Sequence, residues 1–229
     1  MPLLDIEGIG LEQKNVMMKN KEADLELLQG GKLLPLVEDF YTIQGEGYHT
    51  GKPAYFVRLG GCDVGCSWCD AKFTWNPKIF SPVPVEEIVL RAASYPDQAV
   101  VVTGGEHLRY PLDVLCSRFN ENGMSTFLET SGTQEMSGMW DWVCLSPKPR
   151  QAPLPIFYNY ADELKVIIQT AEDFEWAEQQ AKRVSSSCLL FLQPEWSVIK
   201  LILPKIVDYV KENPTWNVSL QSHKYMNIP

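Results

Sequence analysis

Short, β-rich apolar runs recur along most of this chain with helix-forming stretches between them, and that alternation restricts the fold more than any other feature. The runs fall at residues 36–42, 54–59, 99–102, 125–129, 142–145, 164–168, 189–193 and 216–220. Each is bounded by turn residues and rich in β-branched or aromatic side chains. Helices are predicted at 85–94, at 112–121 ending at Gly123, at 171–184 and at 205–212. Pro204 argues against one helix from 197 to 212, so the last helix is placed to begin near that proline, which the first turn tolerates. Strand, helix and strand in repeated succession give a mainly parallel sheet with helices outside, an α/β fold, either a barrel or an open form. In such folds the chemistry collects at the carboxyl ends of the strands.

Residues 1–35 read differently. The stretch 12–28 is mostly charged, with helix formers but an irregular apolar stripe, and Gly30-Gly31 closes it. It is read as an N-terminal extension, a surface helix or a loose leader, ahead of one domain over 36–229. It lacks the Arg-rich, acid-poor character of a transit peptide. At 229 residues and 45% hydrophobic the chain can bury a sizeable core, and no apolar run approaches the ~20 residues of a membrane helix. A net charge of −9 disfavours direct binding of a nucleic-acid backbone. Six cysteines are too few for a stapled scaffold, and with no secretory leader they point to a reducing, cytoplasmic compartment.

The most informative local feature follows the run at 54–59. Cys62, Cys66 and Cys69 are spaced four and then three apart in a loop flanked by Gly60, Gly61 and Gly65. A cubane iron-sulfur cluster normally takes four cysteines, so three from one loop would leave one iron open to a small molecule. Half of a zinc site has similar spacing, with a fourth ligand such as His49 or His107. Further on, Thr103-Gly104-Gly105-Glu106 ends an apolar run in bare backbone and a carboxylate suited to an ammonium group; alone, such a segment is more often a structural turn. Gln44-Gly45-Glu46 offers amides and a carboxylate for the donor-rich edge of a guanine-like ring. Arg58 ends the strand before the cysteines, where its guanidinium either grips a substrate carboxylate or pairs with a neighbouring acid. Cys116, Cys144 and Cys188 are read as buried thiols, Trp140, Trp142 and Trp176 as packing, and His49 as a loop residue near the substrate mouth.

The cysteine loop, with Trp68 before its last cysteine, resembles that of the radical S-adenosylmethionine superfamily. Together with 41–47, Arg58 and the ending 223–229, the chain from about Leu36 to Pro229 resembles the 7-carboxy-7-deazaguanine synthase family. The resemblance implies a partial (β/α) barrel and a 4Fe-4S cluster on Cys62, Cys66 and Cys69. It implies S-adenosylmethionine contacts from Ser67, Trp68, Cys69, Gly104, Gly105, Glu106 and Ser131. Ser146, Pro147 and Lys148, and Gln193, Pro194, Glu195 and Trp196, would meet its ribose, carboxylate and adenine. Ile43, Gln44, Gly45, Glu46, Arg58, Thr103, His223 and the carboxylate of Pro229 would hold a pterin acid. The activity implied is conversion of 6-carboxy-tetrahydropterin to 7-carboxy-7-deazaguanine, with an external one-electron reductant and a homodimeric enzyme. Two departures stand out. His107 occupies a usual proline position, and Ala71 replaces a hydroxyl that would ligate magnesium. Magnesium is therefore assigned no residue, leaving substrate oxygens, water and Asp70 or Thr74 to hold such a cation. A glycyl-radical activating enzyme of the same superfamily and a non-catalytic zinc or iron-sulfur module are the alternatives.

Overall fold

The computed structural model describes residues 28–96 and 99–229; the helix expected over 12–28 lies outside the described residues, save for Leu28. Nine strands form one sheet in the order β3-β1-β2-β4-β5-β6-β7-β8-β9. They are β1 (Leu33–Ile43), β2 (Pro53–Leu59), β3 (Pro82–Pro84), β4 (Ala99–Gly104), β5 (Ser125–Thr130), β6 (Trp142–Leu145), β7 (Glu163–Ile168), β8 (Leu189–Pro194) and β9 (Trp216–Val218). β1 runs antiparallel to β2 and β3, and every pairing from β2 through β9 is parallel. The sheet is open, with β3 and β9 at its edges, as a partial barrel requires. The helices are α1 (Val85–Ala92), α2 (Asp113–Glu121), α3 (Pro155–Tyr160), α4 (Glu172–Ala181), α5 (Ile199–Glu212) and α6 (Ser222–Met226).

Side chains alternate across a strand, and this period of two sorts the chain into a core and a site. Tyr55, Val57 and Leu59 on β2, Val100 and Val102 on β4, Leu128 on β5, and Leu164, Val166 and Ile168 on β7 belong to one apolar core with Ile88, Leu115, Phe119, Ala177, Ile202 and Ile206 of the helices. The intervening residues face the other side. Near the amino ends of the strands that side is apolar, with Phe40, Ala54, Phe56, Ala99, Val101 and Phe127 clustered together. Toward the carboxyl ends the same alternation reaches Arg58, Thr103, Glu129, Lys165 and Gln193, so the polar end of the inner face is where chemistry is possible.

Three local departures have physical causes. α5 runs unbroken from Ile199 with Pro204 inside it, so the expected start at Pro204 is corrected. Pro204 forgoes only the bond to the Lys200 carbonyl, both residues are exposed to water, and burial of Ile202 and Ile206 on one face holds the helix together. Replacing Pro204 with alanine is expected to raise unfolding free energy by about 1–3 kcal/mol in urea denaturation, toward the intrinsic Pro-to-Ala difference. β3 contains two prolines yet pairs, because it is an edge strand using one side only. α3 and α6 are too short to show a helical period in the sequence. β1 begins at Leu33, ahead of the expected Leu36. Among the described residues no helix is long and apolar enough to cross a membrane.

Candidate active site

The cysteine loop and the glycine-glutamate turn are built against each other through backbone. Gly105 N donates to Leu59 O at 3.0 Å and Glu106 N to Gly61 O at 2.7 Å. Gly61 N and Cys62 N donate to Thr74 O and Trp75 O at 2.7 and 3.2 Å, folding the loop back on itself. Gly104 sits at φ +123°, and a Cβ on Gly105 would collide with the Gly61 carbonyl and lie 3.2 Å from Cys62 Cβ. Only glycine allows this approach.

Beyond the turn lies a cavity of about 1020 Å³, counting its open mouth, with Cys62, Cys66 and Cys69 on its wall and no fourth cysteine or histidine. Burial raises the Cys66 thiol, the two other cysteines add to that, and the Lys148 ammonium opposes it. A single zinc would draw thiolates to about 2.3 Å; among the described residues no three His, Cys, Asp or Glu side chains are gathered for one ion. Three thiols around a roomy cavity fit a cluster with one open iron. Neither His49 nor His107 closes it. His107 is fully buried, with neither ring nitrogen hydrogen-bonded. His49 stacks on Phe127 at 4.5 Å, under the apolar end of the inner face rather than at the mouth.

The same cavity is lined by Trp68, Gly104, Gly105, Glu106, Ser131, Ser146, Lys148, Gln193, Pro194, Glu195 and Trp196. Ser67 is exposed on the loop and Pro147 is buried behind Lys148, and neither lines the cavity. Glu106, 2% exposed, accepts from Thr130 Oγ1 at 2.7 Å, from Ser131 N at 2.9 Å and from the Ser131 hydroxyl. Its Oε1 retains a lone pair for an ammonium donor. Lys148 Nζ donates to Ser146 Oγ at 2.5 Å and lies 5.5 Å from the centre of the Trp68 ring. Burial lowers its pKa.

A second cavity of about 960 Å³ adjoins the first, and Glu46, Asp70, Ala71, Thr103, Gly104, Glu129 and Gln221 line both. Every residue the sequence suggested for a pterin acid is on its wall: Ile43, Gln44, Gly45, Glu46, Arg58, Thr103, His223 and Pro229. Arg58 faces Glu38 and Thr103 across the sheet register. Its Nε donates to Glu38 Oε1 at 2.8 Å and its guanidinium lies over the Phe40 and Phe73 rings at 5.7 and 5.9 Å, while among the described residues its terminal nitrogens have no hydrogen-bond partner. The neighbouring-acid pairing and an available fork therefore coexist. Burial lowers the His223 pKa, with Glu46 opposing that. Ser222 N donates to Gly45 O at 2.8 Å, tying α6 to the glutamine-glutamate loop.

The sequence marks 163–165 as a segment shared with the family it resembles but assigns no role to the group at the centre. Lys165, 4% exposed on β7, lies 2.5 Å from Glu46 Oε2 and 3.8 Å from Glu129 Oε1. Glu129 in turn accepts from Gln44 Nε2 at 3.0 Å and Thr103 Oγ1 at 3.2 Å, and Gln221 Nε2 donates to Glu46 Oε1 at 2.8 Å. Burial by itself raises the Glu46 carboxyl, but Lys165 and Gln221 hold it down at about 2. The available signal was parity: Glu129 and Lys165 are charged residues at inner-face positions of apolar strands. Cys116, Cys144 and Cys188 are buried, and burial pushes the first and last up to about 12.

No family model matches the chain. Among curated proteins it is 50% identical over 212 residues to the 7-carboxy-7-deazaguanine synthase of Flavobacterium psychrophilum, covering 93% of this chain and 100% of that one. It is 43% identical to the Synechocystis enzyme of that name, over 85% of this chain and 93% of the relative. The crystal structure of QueE from Escherichia coli superposes with a TM-score of 0.72 at 31% identity, over 86% of this chain and 98% of the other. Identity at this level over nearly the whole length, on the same fold, shows that the chain belongs to the 7-carboxy-7-deazaguanine synthase family.

Proposed function

We infer that this chain converts 6-carboxy-5,6,7,8-tetrahydropterin to 7-carboxy-7-deazaguanine, by S-adenosylmethionine-dependent radical ring contraction with loss of ammonia, in deazapurine (queuosine) biosynthesis. One observation carries the reading: a cavity with three cysteines and no fourth thiol or imidazole opens directly into one lined by a cation fork, carboxylates and amides. Cys62, Cys66 and Cys69 are the residues that would hold a 4Fe-4S cluster. When bound, that cluster with S-adenosylmethionine supplies hydrogen-atom abstraction, driven by an external one-electron reductant.

The chain's own share is placement. Glu106 Oε1 and the bare backbone of Gly104 and Gly105 receive the methionine amine, with Ser131, Ser146, Lys148 and the 193–196 segment around the rest of the cofactor. Glu46 and Glu129 present acceptors to the paired N–H groups of a 2-amino-pyrimidinone, and Gln44 and Thr103 orient Glu129. The free fork of Arg58 suits the substrate carboxylate in a bidentate pair. The inner face continues below as an apolar surface from Phe40 to Phe127.

Anaerobic reconstitution followed by S-adenosylmethionine, reductant and the pterin acid is expected to yield deoxyadenosine and a deazaguanine acid by mass spectrometry. Absence of both rejects the reading. Free thiols at all six cysteines suit a cytoplasmic enzyme, and the family resemblance carries the homodimer, which sedimentation at twice the chain mass tests.

A further inference from the structure

Magnesium is the one implied component that the residues present do not fit. Ala71 offers a methyl group where a hydroxyl ligand is expected. The Thr74 hydroxyl donates to Ala71 O at 2.8 Å, is 0% exposed, and lines neither cavity. Asp70 Oδ2 accepts from Gln221 Nε2 and from Lys224 Nζ, each at 3.0 Å. Its carboxylate is thus already paired with a cation, and a divalent ion brought to it would be repelled by that ammonium. Magnesium also demands a near-octahedral oxygen set at about 2.0–2.1 Å; among the described residues no three acidic, cysteine or histidine side chains converge to start one.

What stands beside Ala71 instead is Lys224. It lines the second cavity together with Arg58, Asp70, Ala71 and Thr103. Three contacts fix its ammonium: Asp70, the Gln221 Oε1 at 2.8 Å, and the Trp196 ring at 4.7 Å from its centre. α6, which carries it, is tethered to Gly45 through both the backbone and the hydroxyl of Ser222. A lysine so held is a positioned charge rather than a solvated tail.

We propose that in this chain the ammonium of Lys224 stands in for a divalent cation: with Arg58 it neutralises the substrate carboxylate, and the reaction proceeds without magnesium. This rests on the functional reading above, which supplies the carboxylate. An ammonium brings three donors and one charge and, unlike magnesium, needs no set of ligand oxygens.

The test uses the full chain with its cluster reconstituted. Manganese(II), the spectroscopic surrogate for magnesium, is titrated by electron paramagnetic resonance with and without the pterin acid. The expected result is no saturable site, and turnover that changes by no more than about twofold between EDTA and added magnesium. Lys224→Ala is expected to raise the KM for the pterin acid about tenfold or more, as loss of ground-state binding does. The double variant Ala71→Thr, Lys224→Ala is expected to gain one manganese per chain and a magnesium requirement. One manganese bound per wild-type chain, loss of turnover in EDTA, or an unchanged KM in Lys224→Ala each overturns the proposal. If the pterin acid is not converted with or without metal, the functional reading fails instead, and the manganese titration still decides whether a cation sits beside Asp70.

Discussion

Replacing Lys165 with methionine is expected to cost about 3–5 kcal/mol of stability at neutral pH, because it leaves buried carboxylates without their cation. The side chain is nearly the same length, so the loss is electrostatic rather than a cavity. The pH dependence separates this from generic damage. In the wild type, burial alone would raise Glu46, yet Lys165 and Gln221 lower it from 4.5 to about 2. That contribution is complete above 4.5 and is lost as pH falls toward 2. Lys165 is raised well above its ordinary 10.5 despite its burial, by Glu129 and Glu46, so its contribution is complete below 10.5 and is lost only as pH rises beyond. In Lys165→Met burial is opposed only by the hydrogen bonds from Gln221 and Gln193, so the Glu46 carboxyl rises from its wild-type position and the variant loses less stability on acidification. Urea unfolding between about pH 6 and pH 3 should therefore show a shallower slope for the variant than for the wild type. Adding Glu46→Gln to the variant should restore much of the loss; parallel slopes would show that Lys165 and Glu46 do not form the pair described.

Gly105→Ala is the second large effect. Its methyl group would meet the Gly61 carbonyl and the Cys62 Cβ, both part of the loop that presents the thiolates. Overpacking of this kind costs about 1–3 kcal/mol, and here it is relieved most easily by moving the loop. Iron bound after reconstitution is expected to fall several-fold from about four per chain, with the far-ultraviolet spectrum unchanged. Gly51→Ala is the matched control: Gly51 sits at φ +87° with nothing within 4 Å of an added Cβ. It should lose a little stability through backbone strain and keep its full iron. Equal iron content in the two variants would detach Gly105 from the cysteine loop.

The alternation of apolar runs and helices was legible because it is local, and so was the placing of the polar motifs after the strands. The cysteine loop was legible because its three cysteines lie within a few residues of one another. Lys165 and Glu129 lie in segments the sequence singles out but receive no role there, because a charged residue in a strand reads alike whether it meets a ligand, a partner or water. Only the sheet register, which joins residues far apart in sequence, decides among these. Lys224 was visible as part of the ending, but its pairing with Asp70 spans most of the chain. Pro204 misled because its local cost is real and is outweighed by packing of α5 that the sequence alone does not display. Ser67 and Pro147 lie in segments whose neighbours line the cavity, and only the path of the chain shows that these two do not.

The shared wall between the two cavities carries an energetic consequence. Glu46, Thr103, Glu129 and Gln221 face both compartments, so an occupant of either one reorganises hydrogen bonds that the other would use. Under the proposed function, cofactor and substrate affinities are therefore expected to be linked, and linkage is reciprocal: whatever factor the first molecule imposes on the second, the second returns to the first.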